Sequence, residues 1–204
     1  MIPENILKYR FSGYLPVVID IETSGFDLEK NAILEIAAFS LKFDDYNNLV
    51  LDENFHAHLD PFEGAVLDPK SMEFLDIHLD SPFRFSKNEK DTIKEFNEFL
   101  KKAIKKSGCK NAVIVAHNAT FDHGFLIKSF KRNKIKPNFH SFGVIDTATL
   151  TSFMLGENVL LKACRKNGIY FDEKQAHGAL YDAKQTALLF CSLTNNLKDL
   201  RENK

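Results

Sequence analysis

The sequence predicts a layered α/β fold on a mixed five-stranded sheet. Extended apolar segments come first and then alternate with helical ones, and the polar turn at residues 44–48 is short enough to join antiparallel neighbours. Residues 15–22 are an apolar run ending in acids, the first strand. Residues 32–43 and 49–59 are two further extended segments, so the first three strands form an antiparallel meander. Residues 88–107 place Ile93, Phe96, Phe99, Leu100, Ala103 and Ile104 at helical spacing and stop at Ser107-Gly108, the clearest helix in the chain. A fourth strand (112–116), a helix (120–132) and a short fifth strand (142–145) follow, then helices over 147–155, 159–167 and about 179–198. No repeat, low-complexity tract or linker divides the chain, so the expectation is one domain over 1–204 with its core at about 15–198.

Composition bounds the function. With 44% hydrophobic and 27% charged residues, the chain is neither disordered nor collagen-like. A net charge of -1 excludes a wholly basic nucleic-acid coat, so any basic surface must be segregated. Cys109, Cys164 and Cys191 have neither the number nor the spacing of a disulfide framework or zinc ribbon, which fits a reducing cytosol. The first fifteen residues carry Glu4, Lys8 and Arg10 without the apolar stretch of a signal peptide, and no run of 18 apolar residues occurs elsewhere. The expectation is a soluble, cytoplasmic protein with no membrane partner. The 19 Phe residues, beside no Trp, fit a codon bias shared with Ile, Asn and Lys; a few rings could still stack on bases.

Three acidic segments carry the chemistry. In Val17-Val-Ile-Asp-Ile-Glu22, strand alternation puts Asp20 and Glu22 on one face with Val18. Two adjacent carboxylates raise each other's pKa unless a cation lies between them, and hard oxygen ligands favour Mg2+ or Mn2+; the alternative is a strand that simply surfaces at its end. In the segment Val115 to His123, a strand leads through a polar turn to Asp122 in the first turn of a helix, where it could reach the same sheet edge or merely favour the helix dipole. In Ala176-His-Gly-Ala-Leu-Tyr-Asp-Ala183, residues five apart on one helix are rotated by about 140°. His177 is therefore placed with Gly178 in the loop entering the helix and Asp182 one turn inside it. A histidine beside a fixed carboxylate suits a general base next to a metal ligand, although a loop histidine can also be just that. His56 and His58 alternate on a strand without an evident third ligand and are read as surface or core residues. His117, His123 and His140 flank the acidic edge as packing residues.

The order Asp20-x-Glu22, Asp122 after His117-Asn-x-x-Phe, and His177 five residues before Asp182 resembles the histidine branch of the DEDD exonuclease superfamily, over residues 17–190. The wording of these segments, with Leu34-Glu-Ile-Ala-Ala38 and Gln175-Ala-His-Gly-Ala-Leu-Tyr-Asp182, is similar to the ribonuclease T family within it. The resemblance implies a ribonuclease H-like mixed five-stranded sheet flanked by helices, and a 3′-to-5′ exoribonuclease. Such an enzyme trims the 3′ ends of tRNA and other stable RNA precursors, turns over the tRNA terminus and releases nucleoside 5′-monophosphates. It implies two Mg2+ ions per site, with Mn2+ a possible substitute: Asp20 bridging both, Glu22 and Asp182 on the nucleophile side, Asp122 supporting the second through water, and His177 taking the proton from the attacking water.

The resemblance also implies that Phe26, Phe74, Phe121 and Phe142 stack on the two terminal bases. Phe26 and Phe121 lie beside the acidic segments in the sequence itself. Lys70 stands where family members carry a glutamate thought to contact the terminal base, which puts the family's reluctance at terminal cytosine in doubt. A homodimer is implied in which one subunit's basic patch guides RNA into its partner's site, with Arg10, Lys105 and Lys110 as candidates alongside Lys101, Lys102 and Lys106, and a second cluster at Lys128, Lys131 and Arg132. Lysines on one helix face can equally be solvated only. The rival readings are a DNA proofreading exonuclease subunit acting on single-stranded DNA, an oligoribonuclease, and a catalytically silent RNA-binding module. Against the last stands the retention of four acids and His177, because uncompensated acids repel phosphate.

Overall fold

The computed structural model of the chain describes residues 6–81 and 83–202. Glu4, one of the amino-terminal charges noted above, lies outside them. The elements run α1 (Ile6–Arg10), β1 (Tyr14–Thr23), β2 (Ile33–Phe43), β3 (Leu49–His58), α2 (Pro69–Leu75), α3 (Glu89–Ser107), β4 (Asn111–Ala116), α4 (Ala119–Arg132), β5 (Phe139–Asp146), α5 (Thr147–Leu155), α6 (Leu160–Lys166) and α7 (Ala179–Glu202). All five expected strands are present, and only α1 and α2 were not anticipated.

The sheet order is β3-β2-β1-β4-β5. β1 to β3 form the expected antiparallel meander, turned at Asp44, whose carboxylate accepts the Tyr46 and Asn48 N–H groups. β4 and β5 join in parallel, each reached by a helical crossover. Val17, Val18 and Ile19 of the central strand β1 are fully buried, because both faces of the sheet are covered. One cover is α3: Phe55 of β3 meets its Phe96 at 5.6 Å, on the face that Ile19 shares. The opposite face carries Val18, Asp20 and Glu22 and lies under α7, where Ala179, Ala183 and Ala187 recur at four-residue spacing and let the helix close on the strands.

All three cysteines are buried and free, in line with the absence of a disulfide framework. Among the described residues no helix is long and apolar enough to cross a membrane.

Asp146 is the joint between the parallel strands and the helices that follow them. Its Oδ1 accepts the N–H groups of Asn118 (2.9 Å), Ala119 (3.3 Å) and Ala148 (3.2 Å), and its Oδ2 accepts from the Thr149 N–H and hydroxyl. One carboxylate thus caps α5 and also holds the entry to α4, where Asn118 has a left-handed φ of 67° and no side-chain cap of its own. Asp146→Ala is expected to lower the unfolding free energy by about 1–2 kcal/mol, read as a shifted urea midpoint at constant slope.

Candidate active site

The acidic edge is built where β1 outruns its neighbour. The ladder between β1 and β4 ends at Val18 opposite Val115, so the following stretch of β1 faces the β4–α4 turn rather than a strand. The Ile21 N–H left over there donates to Asp122 Oδ1 at 3.2 Å, which fixes Asp122 against β1 from the first turn of α4. Asp20 and Glu22 lie opposite Ala37 and Glu35 of β2 on the face covered by α7.

His177 has a left-handed φ of 64° and lies in the loop before α7, as expected, with Asp182 inside the first turn. The His177 N–H donates to Asp182 Oδ2 at 3.1 Å. Asp182 Oδ1 is buried and accepts no hydrogen bond from any described residue. One carboxylate oxygen from each of Asp20, Glu22 and Asp182 lies within 4.8 Å of the others. The structure therefore gathers the four acids and His177, from three separate parts of the chain.

This corner is electrostatically costly. Burial, and then the charge of Glu35, Asp182 and Asp122, pushes the Glu22 carboxyl up to about 9. Burial raises Asp122 to about 8, against the Ile21 hydrogen bond that favours its ionised form. Asp20 is driven well above the carboxylate range by burial and by Asp122, Glu22, Asp182 and Glu35, and Asp182 is raised by burial despite its bond from His177. Three carboxylates with a buried, unpartnered oxygen form an all-oxygen donor set that fits hard divalent cations.

Beside the acids an open cleft of about 790 Å³ is lined by Glu22, Phe26, Lys70, Phe74 and Phe121 among others. Phe26 is 82% and Phe74 65% exposed, so both offer ring faces to a ligand. Phe121 is half-buried, 6.0 Å from Phe26 between ring centres. Phe74 touches the His177 ring at 4.5 Å. Phe142 is exposed but does not line this cleft; its ring meets His140 on β5.

Two positioning residues escaped the sequence reading. Asn31 is buried, accepts the Asp27 N–H at 2.8 Å and donates to the Ser24 and Val66 carbonyls, which pins the loop bearing Phe26 to the segment before α2. Gly25 is required beside it, because a Cβ there would lie 2.5 Å from Asn31 Oδ1. Glu35 is the second. Its carboxyl is held below its ordinary range despite burial by the His56 hydrogen bond, by the charge of His58 and His56, and by the Ala179 N–H. A side chain buried across a strand pair leaves no trace in local spacing; the pattern Leu34-Glu-Ile-Ala-Ala38 marks Glu35 only as a polar interruption.

His117, His123 and His140 do pack. His117 bonds the Thr147 hydroxyl (3.0 Å) and Asn158 carbonyl (2.8 Å), His123 bonds the His140 carbonyl (2.9 Å), and His140 Nδ1 accepts the Gly143 N–H. The basic candidates divide. Lys106 is bound to Asp52 and Glu53, Lys101 to Glu98, Lys128 to Glu29, and Arg132 grips Glu89 through two nitrogens. Arg10 and Lys110 lie over the rings of Phe11 and Tyr14 at the corner of α1 and β1, and Lys105 lies in the last turn of α3.

A family model described as an exonuclease, RNase_T, matches residues 17–190. The chain is 49% identical over 197 residues to the ribonuclease T of Histophilus somni, covering 96% of this chain and 90% of that protein. It is likewise 49% identical to the ribonuclease T of Pectobacterium atrosepticum, covering 96% and 88%. In fold it is similar to E. coli exonuclease I solved with a dT13 oligonucleotide, with a TM-score of 0.71 and 16% identity over 93% of this chain. The chain spans only 43% of that exonuclease I chain, and at this identity the likeness shows the fold alone.

The raised Glu22 carboxyl has a signed consequence. It is protonated in the folded, metal-free chain up to about pH 9 but only up to about 4.5 when unfolded, so its contribution to stability is full below 4.5 and is lost as pH rises to 9. Thermal melts of metal-free protein should show wild type losing stability relative to Glu22→Gln across that window, with Mn2+ restoring wild type; parallel pH profiles would contradict it.

Proposed function

The chain belongs to the ribonuclease T family and is a metal-dependent 3′-to-5′ exoribonuclease, and on that premise we propose that it trims the 3′ ends of tRNA and other stable RNA precursors, turns over the tRNA terminus and releases nucleoside 5′-monophosphates. The observation that carries this reading is the convergence of Asp20, Glu22 and Asp182 within 4.8 Å at the head of an aromatic cleft. An acid cluster provides hydrolysis and exposed rings provide sequence-tolerant grip, the combination a trimming enzyme needs.

In this reading Asp20, Glu22 and Asp182, with Asp122 beside them, would hold two Mg2+ ions, for which Mn2+ would substitute. Cations bound there would supply the positive charge for activating water and stabilising the departing 3′-oxygen. His177 accepts the proton of the attacking water as the new bond to phosphorus forms and the bond to the 3′-oxygen breaks. Its backbone tie to Asp182 keeps it next to the acids, and its ring rests on Phe74. A terminal base stacked on Phe74 therefore also sets where that imidazole lies. Phe26 and Phe121 clamp the terminal bases from the loop after β1 and from α4, and Phe142 receives RNA further along β5.

Lys70 lines the cleft one turn before Phe74 on α2. It offers donors and positive charge to the terminal base, which removes a carboxylate-based aversion to cytosine. Arg10, Lys105 and Lys110 carry phosphates of an RNA strand that enters the partner's site in a homodimer, and the protein works in the cytoplasm.

A time course on 3′-extended tRNA and matched single-stranded DNA tests the core of this. Stepwise 5′-monophosphate release in Mg2+, abolished by EDTA and reduced at least a thousandfold by Asp20→Ala, is expected, with RNA preferred; RNA binding without product would contradict it. Phe26→Ala removes one stacked base, about 1–3 kcal/mol, so KM for RNA should rise about 5- to 150-fold with kcat much less affected. An unchanged KM would remove Phe26 from the substrate path.

A further inference from the structure

One strand away from the catalytic acids, on the same face of the sheet, lies a second group of ligating side chains. Glu35 is in register with Glu22 on one side and with His58 on the other, and His56 lies opposite Ala37. The methyl of Ala37 leaves the space beside it open, so His56 reaches diagonally to Glu35, its Nε2 2.7 Å from Oε1. The His56 and His58 rings are 5.0 Å apart and nearly edge-on. One ligand atom from each of Glu35, His56 and His58 lies within 4.8 Å of the other two. The third ligand that the spacing of His56 and His58 could not reveal is thus supplied by the neighbouring strand.

We infer that Glu35, His56 and His58 form a binding site for a zinc-class divalent cation, separate from the catalytic pair. Two imidazoles and a carboxylate are the donor set that Zn2+ takes with three protein ligands and one open position. The catalytic acids offer only oxygens, the set suited to Mg2+. The same sheet face therefore sorts two kinds of ion by donor chemistry. An open groove of about 250 Å³, bordered by His56, His58, Phe83 and Arg84, gives solvent and a fourth ligand access to the rings.

The charged surroundings tolerate the ion. Of the neighbouring cations, Arg84 donates to the Leu34 carbonyl at 2.6 Å and is balanced by Asp60 as well as Glu35, while its charge also reaches His58. Glu35 also lies near the Ala179 backbone, the first residue of α7, the helix that carries Asp182. No step of the hydrolysis described above uses His56 or His58.

The test is Zn2+ binding by calorimetry in excess Mg2+, which occupies the all-oxygen site, with histidine ring resonances followed by NMR. One equivalent of Zn2+ should bind and shift the His56 and His58 signals. His56→Ala and His58→Gln should each weaken binding at least tenfold, and Asp20→Asn should leave it unchanged. Melting temperature measured with and without Zn2+ gives the same comparison in variants of altered stability, since an ion that binds only the folded state raises it. Zn2+ that Asp20→Asn abolishes while both histidine variants retain it, or no binding to wild type under these conditions, would overturn the site.

Discussion

Four carboxylates from β1, α4 and α7 share one buried corner, and their repulsion is the constraint around which the rest of the molecule is arranged. Among the described residues no lysine or arginine figures in the surroundings that set the charge of Asp20, Glu22, Asp122 or Asp182. Among the described residues, two backbone N–H groups outside their own residues, those of Ile21 and His177, donate to the set. Such a corner is disfavoured in a metal-free chain at neutral pH, and it is worth keeping only if cations bind there. The metal dependence of the enzyme is in this sense written into its folding free energy.

The scaffold brings the acids together by leaving things unfinished. Because β4 stops pairing with β1 at Val18, the end of β1 has backbone to spare, and Asp122 takes it up. Because β4 and β5 are parallel, their crossover helices start at the same sheet edge, and Asp146 fixes one such start. The alanine face of α7 brings that helix down on the sheet so that Asp182 arrives beside Asp20 and Glu22. Asn31 does for the aromatic cleft what Asp146 does for α4: a polar side chain holds the backbone of a loop, here the loop that carries the exposed Phe26.

Much of this was legible in the sequence because it is local. Strand alternation around Asp20 and Glu22 sets their shared face, and the rotation of about 140° between residues five apart on a helix places His177 outside the helix that holds Asp182, where the structure has it. What escaped was not local. Asp68-Pro69 is a good helix start, yet α2 buries none of its residues, so no apolar period announced it. Glu35 reads as a stray acid in an apolar strand until the register brings it to His58 and Glu22. β5 begins at Phe139, three residues before the run 142–145, because the buried Phe139 already pairs with Ala112 while polar His140 and Ser141 break the apolar pattern between them.

Whether cations rather than protein charges neutralise this corner is read directly from the protons released when Mn2+ binds the metal-free protein at pH 7, obtained by calorimetry in buffers of different ionisation enthalpy. With Glu22 near 9 and Asp122 near 8, both carry protons at that pH before the metal arrives. Release of more than one proton per chain is expected, falling by about one in Glu22→Gln. Tight Mn2+ binding with no proton release would contradict it, since the acids would then already be ionised and something other than the metal would be holding their charge.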